Sequence, residues 1–370
     1  MRFKVNLASV QNIVNWYIPA AIACFLIMLV SRFILGKTVH GLDYGLYFPD
    51  GVHYAYKTLR YLDSSEIVAS NNVISWFSAH SLGDFAIDPK VITEEHNPVG
   101  HIVKYRIFYS IISVPFVYLL GMPGMLLAPI ILTALIYLYV TMQGKSTDTK
   151  IVTLGVLIVL GSSFTFPRWM ISNLTDPILA CLLLLFVPIL KISNQKAKFV
   201  ALLSLILATS LTRFSLLFLL VVAVALIKRK EIINGVFVAF ASVIAAIPTL
   251  LNLSSRTNAQ STSTGEASIT LLDRLMRAIR VIVVEVGQLI LLDPLLLMLI
   301  LTGIYFSLKN FNVLESQLFV GFLISGTLLD CYVGEVGVNL RYQLPALVVL
   351  PLVIQVGFHK STKQLINLLK

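Results

Sequence analysis

Residues 191–230 read KISNQKAKFVALLSLILATSLTRFSLLFLLVVAVALIKRK, and the layout of the whole chain turns on this stretch. Residues 199–227 are almost wholly apolar, with Lys191, Lys196 and Lys198 on one side and Lys228, Arg229 and Lys230 on the other. Short basic loops favour the cytoplasmic side of a membrane. Both flanks share that side only if the apolar stretch crosses twice, breaking near Leu211-Thr212-Arg213. Each helix then has roughly 13–15 residues, below the ~17–25 of an ordinary span. A packed bundle with loops filling its outer rim accommodates such helices.

Composition agrees with a membrane bundle. Of 370 residues, 57% are hydrophobic and 12% charged, with a mean hydropathy of +0.87. Soluble domains carry about 25% charged residues, so a soluble fold is excluded, as are disorder, collagen-like repeats and a disulfide scaffold. The 28 Lys and Arg against 18 Asp and Glu give +10. In a membrane chain that surplus reads as inward-facing loops, not as nucleic-acid binding. Cys24, Cys181 and Cys331 fall in or beside apolar runs without metal-ligand spacing and read as core residues.

The apolar run from Trp16 to Leu35 is too long for a signal-peptide core and makes the first anchor, with Arg2 and Lys4 holding the start in the cytoplasm. Further apolar runs lie at 123–141, 150–165, 177–192, 232–252, 289–308, 314–331 and 342–358. The segment 105–121 contains Pro115 and ends in Gly-Met-Pro-Gly; were it a span, Lys145, Lys150 and every later basic loop would be inverted. It therefore lies along the outer interface, as an amphipathic or re-entrant element. The expectation is an all-α polytopic bundle of about ten crossings with both ends inside, forming one integral-membrane domain over 1–370. Residues 36–122 are its extracytoplasmic loop and interfacial helices, 123–358 the remaining spans, and 359–370 a cytoplasmic tail. Neither a 20–50-residue repeat nor an inverted repeat with paired broken helices is evident.

Reactive side chains concentrate in the first loop, which holds His40, His53, His80, His96, His101 and eight of the eighteen acids. Within it, Tyr47-Phe-Pro-Asp50-Gly-Val-His53-Tyr54 places an acid where Pro49 and Gly51 make a turn and a helix begins. A helix cap is the plain role for Asp50. Asn173-Leu-Thr-Asp176-Pro177 puts a second acid at another helix start, where capping is again the plain role. Arg213 sits at the outer end of two short helices, and Arg341-Tyr342-Gln-Leu-Pro345 opens the last crossing. Arginine matches phosphate oxygens with a fork of donors and does not titrate; its plain role here is snorkelling toward lipid headgroups. The Ser/Thr-rich run Ser254 to Ser268 reads as a mobile outer loop, and the glycosylation-type tripeptides at Asn173 and Asn252 read as chance.

Taken in order, an acid after the first helix, Thr-Asp-Pro at a later outer turn, Leu-Thr-Arg between short helices and Arg-Tyr-x-Leu-Pro before the last helix resemble the GT-C superfamily of integral-membrane glycosyltransferases. Asn97-Pro98 leading into Tyr105-Arg106 is similar to the Pro-rich, Arg-containing end of the first outer loop in bacterial members. Two departures stand out. Many members carry adjacent acids in that loop where this chain has Asp50-Gly51, leaving Asp43 as a second acid or a rival, and 253–285 lacks an acceptor signature.

The resemblance implies transfer of a sugar, mannose by default, from a polyprenyl-phosphate donor to an extracytoplasmic glycolipid or glycan, with inversion. It places the protein in the cell membrane as a multi-pass enzyme of the cell envelope whose partners are donor, acceptor and membrane lipids. Asp50 is then the general base that takes the acceptor hydroxyl's proton. Arg341, with Arg213, neutralises the phosphate leaving group, and Tyr342 donates to it. Asp176 orients the acceptor or Asp50, and His53, Tyr54 and Arg106 complete the substrate-binding set. No cofactor is required and no metal ligand is assigned, although a divalent cation at Asp50, His53 and Asp176 stays open. The competing readings are a transporter or flippase of a lipid-linked precursor, which needs the same apolar groove and cations, and a non-catalytic scaffold.

Overall fold

On the first helix, α1 (Leu7–Val30), the buried positions recur at Tyr17, Ala21, Cys24 and Met28. That spacing of three and four draws one stripe along a helix. The residues between, Trp16, Ile18, Ile22, Leu26 and Ile27, are large, apolar and exposed. An apolar outer face around an apolar core is what a helix bathed in lipid shows, and the helix Ile232–Ser263 repeats it through Ile233, Val236, Phe240, Val243 and Ile247. This computed structural model describes residues 7–35, 51–80, 106–172, 174–213, 215–263, 271–333 and 340–368. Among them every regular element is helical.

After α1 and its π-helical turn Ser31–Leu35, α2 (Gly51–Tyr61), α3 (Glu66–His80) and α4 (Phe108–Leu120) form a small core of their own through Val52, Tyr54, Val73, Phe77, Tyr109 and Val117. The Tyr109 hydroxyl donates to the Met125 carbonyl at 2.7 Å, and the Tyr54 carbonyl accepts from Ser110 Oγ at 3.0 Å. These bonds tie the first-loop helices to α4 and the 3-10 turn Met122–Leu126. The main bundle follows: α5 (Leu127–Met142), α6 (Thr147–Ser162), α7 (Thr165–Met170), α8 (Asp176–Leu184), α9 (Phe186–Ile189), α10 (Gln195–Thr212), α11 (Leu216–Lys228), α12 (Ile232–Ser263), α13 (Leu271–Leu292), α14 (Pro294–Lys309), α15 (Leu314–Val333) and α16 (Leu344–Leu368). α16 is the axis. Every residue from Tyr342 to Gln355 is buried, among α5, α6, α7, α8, α14 and α15.

Among the described residues, five helical stretches are long and apolar enough to cross a membrane: Trp16–Phe33, Met122–Met142, Gln195–Thr212, Leu314–Cys331 and Leu344–Thr362. A sixth arises if Ala278–Leu292 and Pro294–Lys309, bent by 118°, count as one span. Phe108–Leu120, Asp176–Ile189, Leu216–Lys228 and Ile232–Ile247 are apolar but shorter. The break expected near Leu211-Thr212-Arg213 is present, α10 ending at Thr212 and α11 beginning at Leu216.

Two expectations change. The run 289–308 is not one helix: Asp293-Pro294 divides it, because proline has no N–H and the acid turns its carboxylate to another segment. Ser254 to Ser263 is the end of the helix Ile232–Ser263 rather than a loop, since no glycine or proline interrupts the chain between Pro248 and Gly265.

Basic loops gather at one end. Lys191 Nζ pairs with Glu315 at 2.6 Å, and Lys198 Nζ with Glu231 at 2.9 Å. Lys198 is only 4% exposed, so its ammonium depends on that carboxylate. Burial pushes the Glu231 carboxyl up, but hydrogen bonds from Lys198 and Asn234 and the charges of Lys198 and Arg229 outweigh it and hold it below its ordinary 4.5. A depressed carboxylate stabilises the fold above its unfolded value and loses that contribution as pH falls through the folded value. Removing one partner of a buried pair costs about 3–5 kcal/mol. Glu231 is 20% exposed, so Glu231→Gln is expected to cost about 2 kcal/mol at pH 7. Thermal unfolding in detergent, with Lys309→Ala as an exposed control, checks it: the variant's deficit should shrink as pH is lowered from 7 toward 4.

Candidate functional site

α8 begins with a proline at its second position, and its first residue, Asp176, is 3% exposed. The cap position is Thr175, which makes no side-chain capping bond. Asp176 therefore does not serve as the cap. Its carboxylate is taken by two guanidiniums from distant segments. Arg213, extended at the end of α10, donates Nη1 to Oδ1. Arg341, just before α16, donates Nε and Nη2 to Oδ2 at 3.3 and 3.2 Å. Arg106 lies within electrostatic reach of the same carboxylate. Arg213 stacks over the Tyr342 ring, 4.6 Å from its centre, and Tyr54 of α2 is also within electrostatic reach of Arg213.

Six of the eight residues singled out from the sequence thus meet: Tyr54, Arg106, Asp176, Arg213, Arg341 and Tyr342. His53 is buried one position earlier on α2. Asp50, with Asp43, lies outside the described residues. Around Asp176 two guanidiniums make direct contact and a third, Arg106, lies within electrostatic reach, which is chemistry suited to holding an anion. The start of α16 adds the positive end of a helix dipole. Among the described residues no group of three His, Cys, Asp or Glu side chains is placed to hold a metal ion, and the three cysteines are free thiols.

The residues that fix Arg341 are ones sequence reading did not pick out. Trp169 on α7 presents its ring to Arg341, 5.3 Å away, and to Arg168, 4.7 Å away. α7 is itself anchored by Asp293, which accepts from Phe164 N–H at 2.7 Å and Thr165 N–H at 2.9 Å, and also from the Thr165 hydroxyl. Leu340 adopts a left-handed backbone, φ +58°, and its N–H donates to Glu285 Oε2 at 2.8 Å. Left-handed leucine is costly and persists where surrounding bonds over-determine it. On the other flank the Gln343 amide donates to Asp330 and, at 3.4 Å, to Thr327 Oγ1. α15 comes this close because residue 326 is glycine: a Cβ there would stand 2.5 Å from the Tyr342 carbonyl oxygen and 2.9 Å from Gln343 Cα. The available signal was an acid immediately before proline inside an apolar run, at Asp293.

Asp176→Asn removes the charge that buried Arg213 and part-buried Arg341 share, and the expected loss is about 3–5 kcal/mol, seen as a lowered unfolding temperature in detergent. Gly326→Ala should push the Arg341–Gln343 backbone aside at about 1–3 kcal/mol. Gly287→Ala, whose Cβ meets nothing within 4 Å, should be neutral or stabilising by up to about 1 kcal/mol; equal effects of the two glycine substitutions would contradict the close approach. No family model, no curated protein and no solved structure matches the chain.

Proposed function

We propose that the protein is a membrane glycosyltransferase that moves a sugar, mannose by default, from a polyprenyl-phosphate donor to a glycolipid or glycan at the face bearing Arg341. The observation that carries this reading is the convergence of Arg213 and Arg341 on Asp176, with Arg106 within electrostatic reach, from segments far apart in the chain. A lipid phosphate needs fixed cations where charge develops on the departing oxygen, and these guanidiniums provide them. Asp176 holds two of these guanidiniums in place. Tyr342, stacked under Arg213, is positioned to donate to the same phosphate. In the sequence Asp50 directly precedes α2, whose buried Tyr54 lies within electrostatic reach of Arg213, and Asp50 is the carboxylate assigned to deprotonate the acceptor hydroxyl.

The reaction is a single displacement. The acceptor oxygen bonds to the anomeric carbon from the face opposite the phosphate, its proton passes to Asp50, and the glycosyl C–O bond breaks to leave polyprenyl phosphate. Inversion follows from that geometry. No cofactor enters these steps, and a divalent cation would act only as a further neutralising charge.

The topology proposed with this activity is about ten crossings, with the Arg341 end extracytoplasmic and the lysine-rich end cytoplasmic. It is supported by how the chain alternates between two ends. Residues 164, 165, 169, 176, 213, 293 and 341 gather at one, and 145, 191, 198, 231, 315 and 359–360 at the other.

One observation favours a transporter or flippase instead, namely the 118° break at Asp293-Pro294, since discontinuous helices often line transport sites. A transfer assay in nanodiscs with radiolabelled polyprenyl-phosphate sugars separates the two. Asp50→Asn is expected to abolish transfer, by a factor of at least ~100, while leaving donor binding intact. Arg341→Lys, which keeps charge but loses the bidentate fork, should lower kcat more than it raises KM. Wild-type protein that binds donor, never transfers sugar in a membrane extract, and moves donor across proteoliposomes would establish the transporter.

A further inference from the structure

The far end of α16 carries a second, separate cationic site. From Leu344 to His359 the helix rises roughly 22 Å at 1.5 Å per residue, so His359 and Lys360 lie well away from Arg341. There a cavity of about 370 Å³ opens between the ends of α5, α9 and α16 and the starts of α6 and α15. Its polar rim holds Lys145, Lys191, His359 and Lys360 against one carboxylate, Glu315, which pairs with Lys191 at 2.6 Å. The three ammoniums and the one carboxylate leave a surplus of two positive charges. Its inner wall is apolar, formed by Val313, Leu352 and Val356. Gln355 belongs to the same wall and is fixed by donating to the Val140 carbonyl at 2.8 Å.

We infer that this cavity binds a phosphate-bearing anion, with the phosphate among Lys145, Lys191 and Lys360. The volume falls within the ~300–1,000 Å³ of small-ligand sites. Flexible lysines suit a phosphate that is held as a point charge rather than gripped by a planar fork. A basic rim over an apolar wall, between helices of a membrane bundle, is the arrangement that receives an anionic lipid headgroup with its first acyl carbons against the wall. The same lysines would take a free phosphate, so the source is a matter for measurement. The ligand would clamp α16, the buried axis, to the connections α5–α6, α9–α10 and α14–α15, whichever activity the opposite end performs.

The test uses the full-length protein in detergent and in nanodiscs. Native mass spectrometry and thermal unfolding are run with phosphatidylglycerol, with phosphatidylcholine, and with inorganic phosphate alone. The expected result is retention of phosphatidylglycerol over phosphatidylcholine, falling at least fivefold in Lys145→Gln/Lys360→Gln and unchanged in Lys196→Gln/Lys309→Gln, two lysines from the same end that do not line the cavity. Glu315→Gln, which removes the rim's carboxylate, should bind more tightly. Equal stabilisation by millimolar inorganic phosphate, lost in the same double variant, would retain the site and assign it to a soluble anion. Phosphatidylglycerol and phosphate binding that ignore both the double variant and Glu315→Gln would overturn the proposal.

Discussion

The fold is organised around one carboxylate. Asp176 accepts from Arg213 and Arg341 and thereby joins the start of α8, the break between α10 and α11, and the start of α16. Three charges in an apolar bundle lose most of their hydration, a cost that their mutual attraction offsets only when geometry and remaining hydrogen bonds are satisfied. This requirement explains features that otherwise look unrelated. α10 stops so that Arg213 can extend toward Asp176. Leu340 accepts a left-handed backbone so that Arg341 can approach from the other side. Trp169 covers the exposed face of the Arg341 guanidinium, and Asp293 holds the short helix that bears Trp169. The cluster is thus the end of a chain of supports reaching through α7, α13, α14 and α15.

Much of this cluster was legible in the sequence because charge is so scarce there. With only 12% charged residues, an acid or arginine at the edge of an apolar run has few plain uses. Asp176, Arg213 and Arg341 could be singled out on that ground, although not their pairing, whereas Arg106 was reached only through the family resemblance. The supporting residues were hidden for a different reason. Trp169, Glu285, Asp330 and Gly326 are ordinary in their local windows and gain their roles only from helices that arrive from elsewhere. The capping role considered for Asp176 is a local rule that tertiary structure overrode: the first turn of α8 offers free N–H groups, yet two guanidiniums make stronger partners. Asp293-Pro294 is the intermediate case. Its local signal for a break was clear, but an apolar window of about 20 residues averages a single acid and proline away.

Helix lengths carry the remaining information. α11 has 13 residues, hence a length of about 20 Å, whereas the hydrocarbon layer is ~30 Å thick. Lys228, Arg229 and Lys230 cannot sit inside that layer without large cost, so they fix one end of α11 at a surface. On the ten-crossing topology its other end, with Arg213, then falls some 10 Å short of the opposite surface. Asp176–Ile189 is similarly short, and its first residue is the partner of Arg213. On that topology Asp176 and Arg213, at the ends of these two short helices, lie below the surface together. On the proposed reading a phosphate on a lipid chain would reach this cluster with its tail still among apolar helices, while the glycolipid or glycan acceptor would meet it from outside. Helices of full length would lift the same cations to the level of the headgroups, where water screens them and any anion competes. On the proposed reading the shortness of α8–α9 and α11 is part of the site, because it keeps the guanidiniums below the level where water screens them.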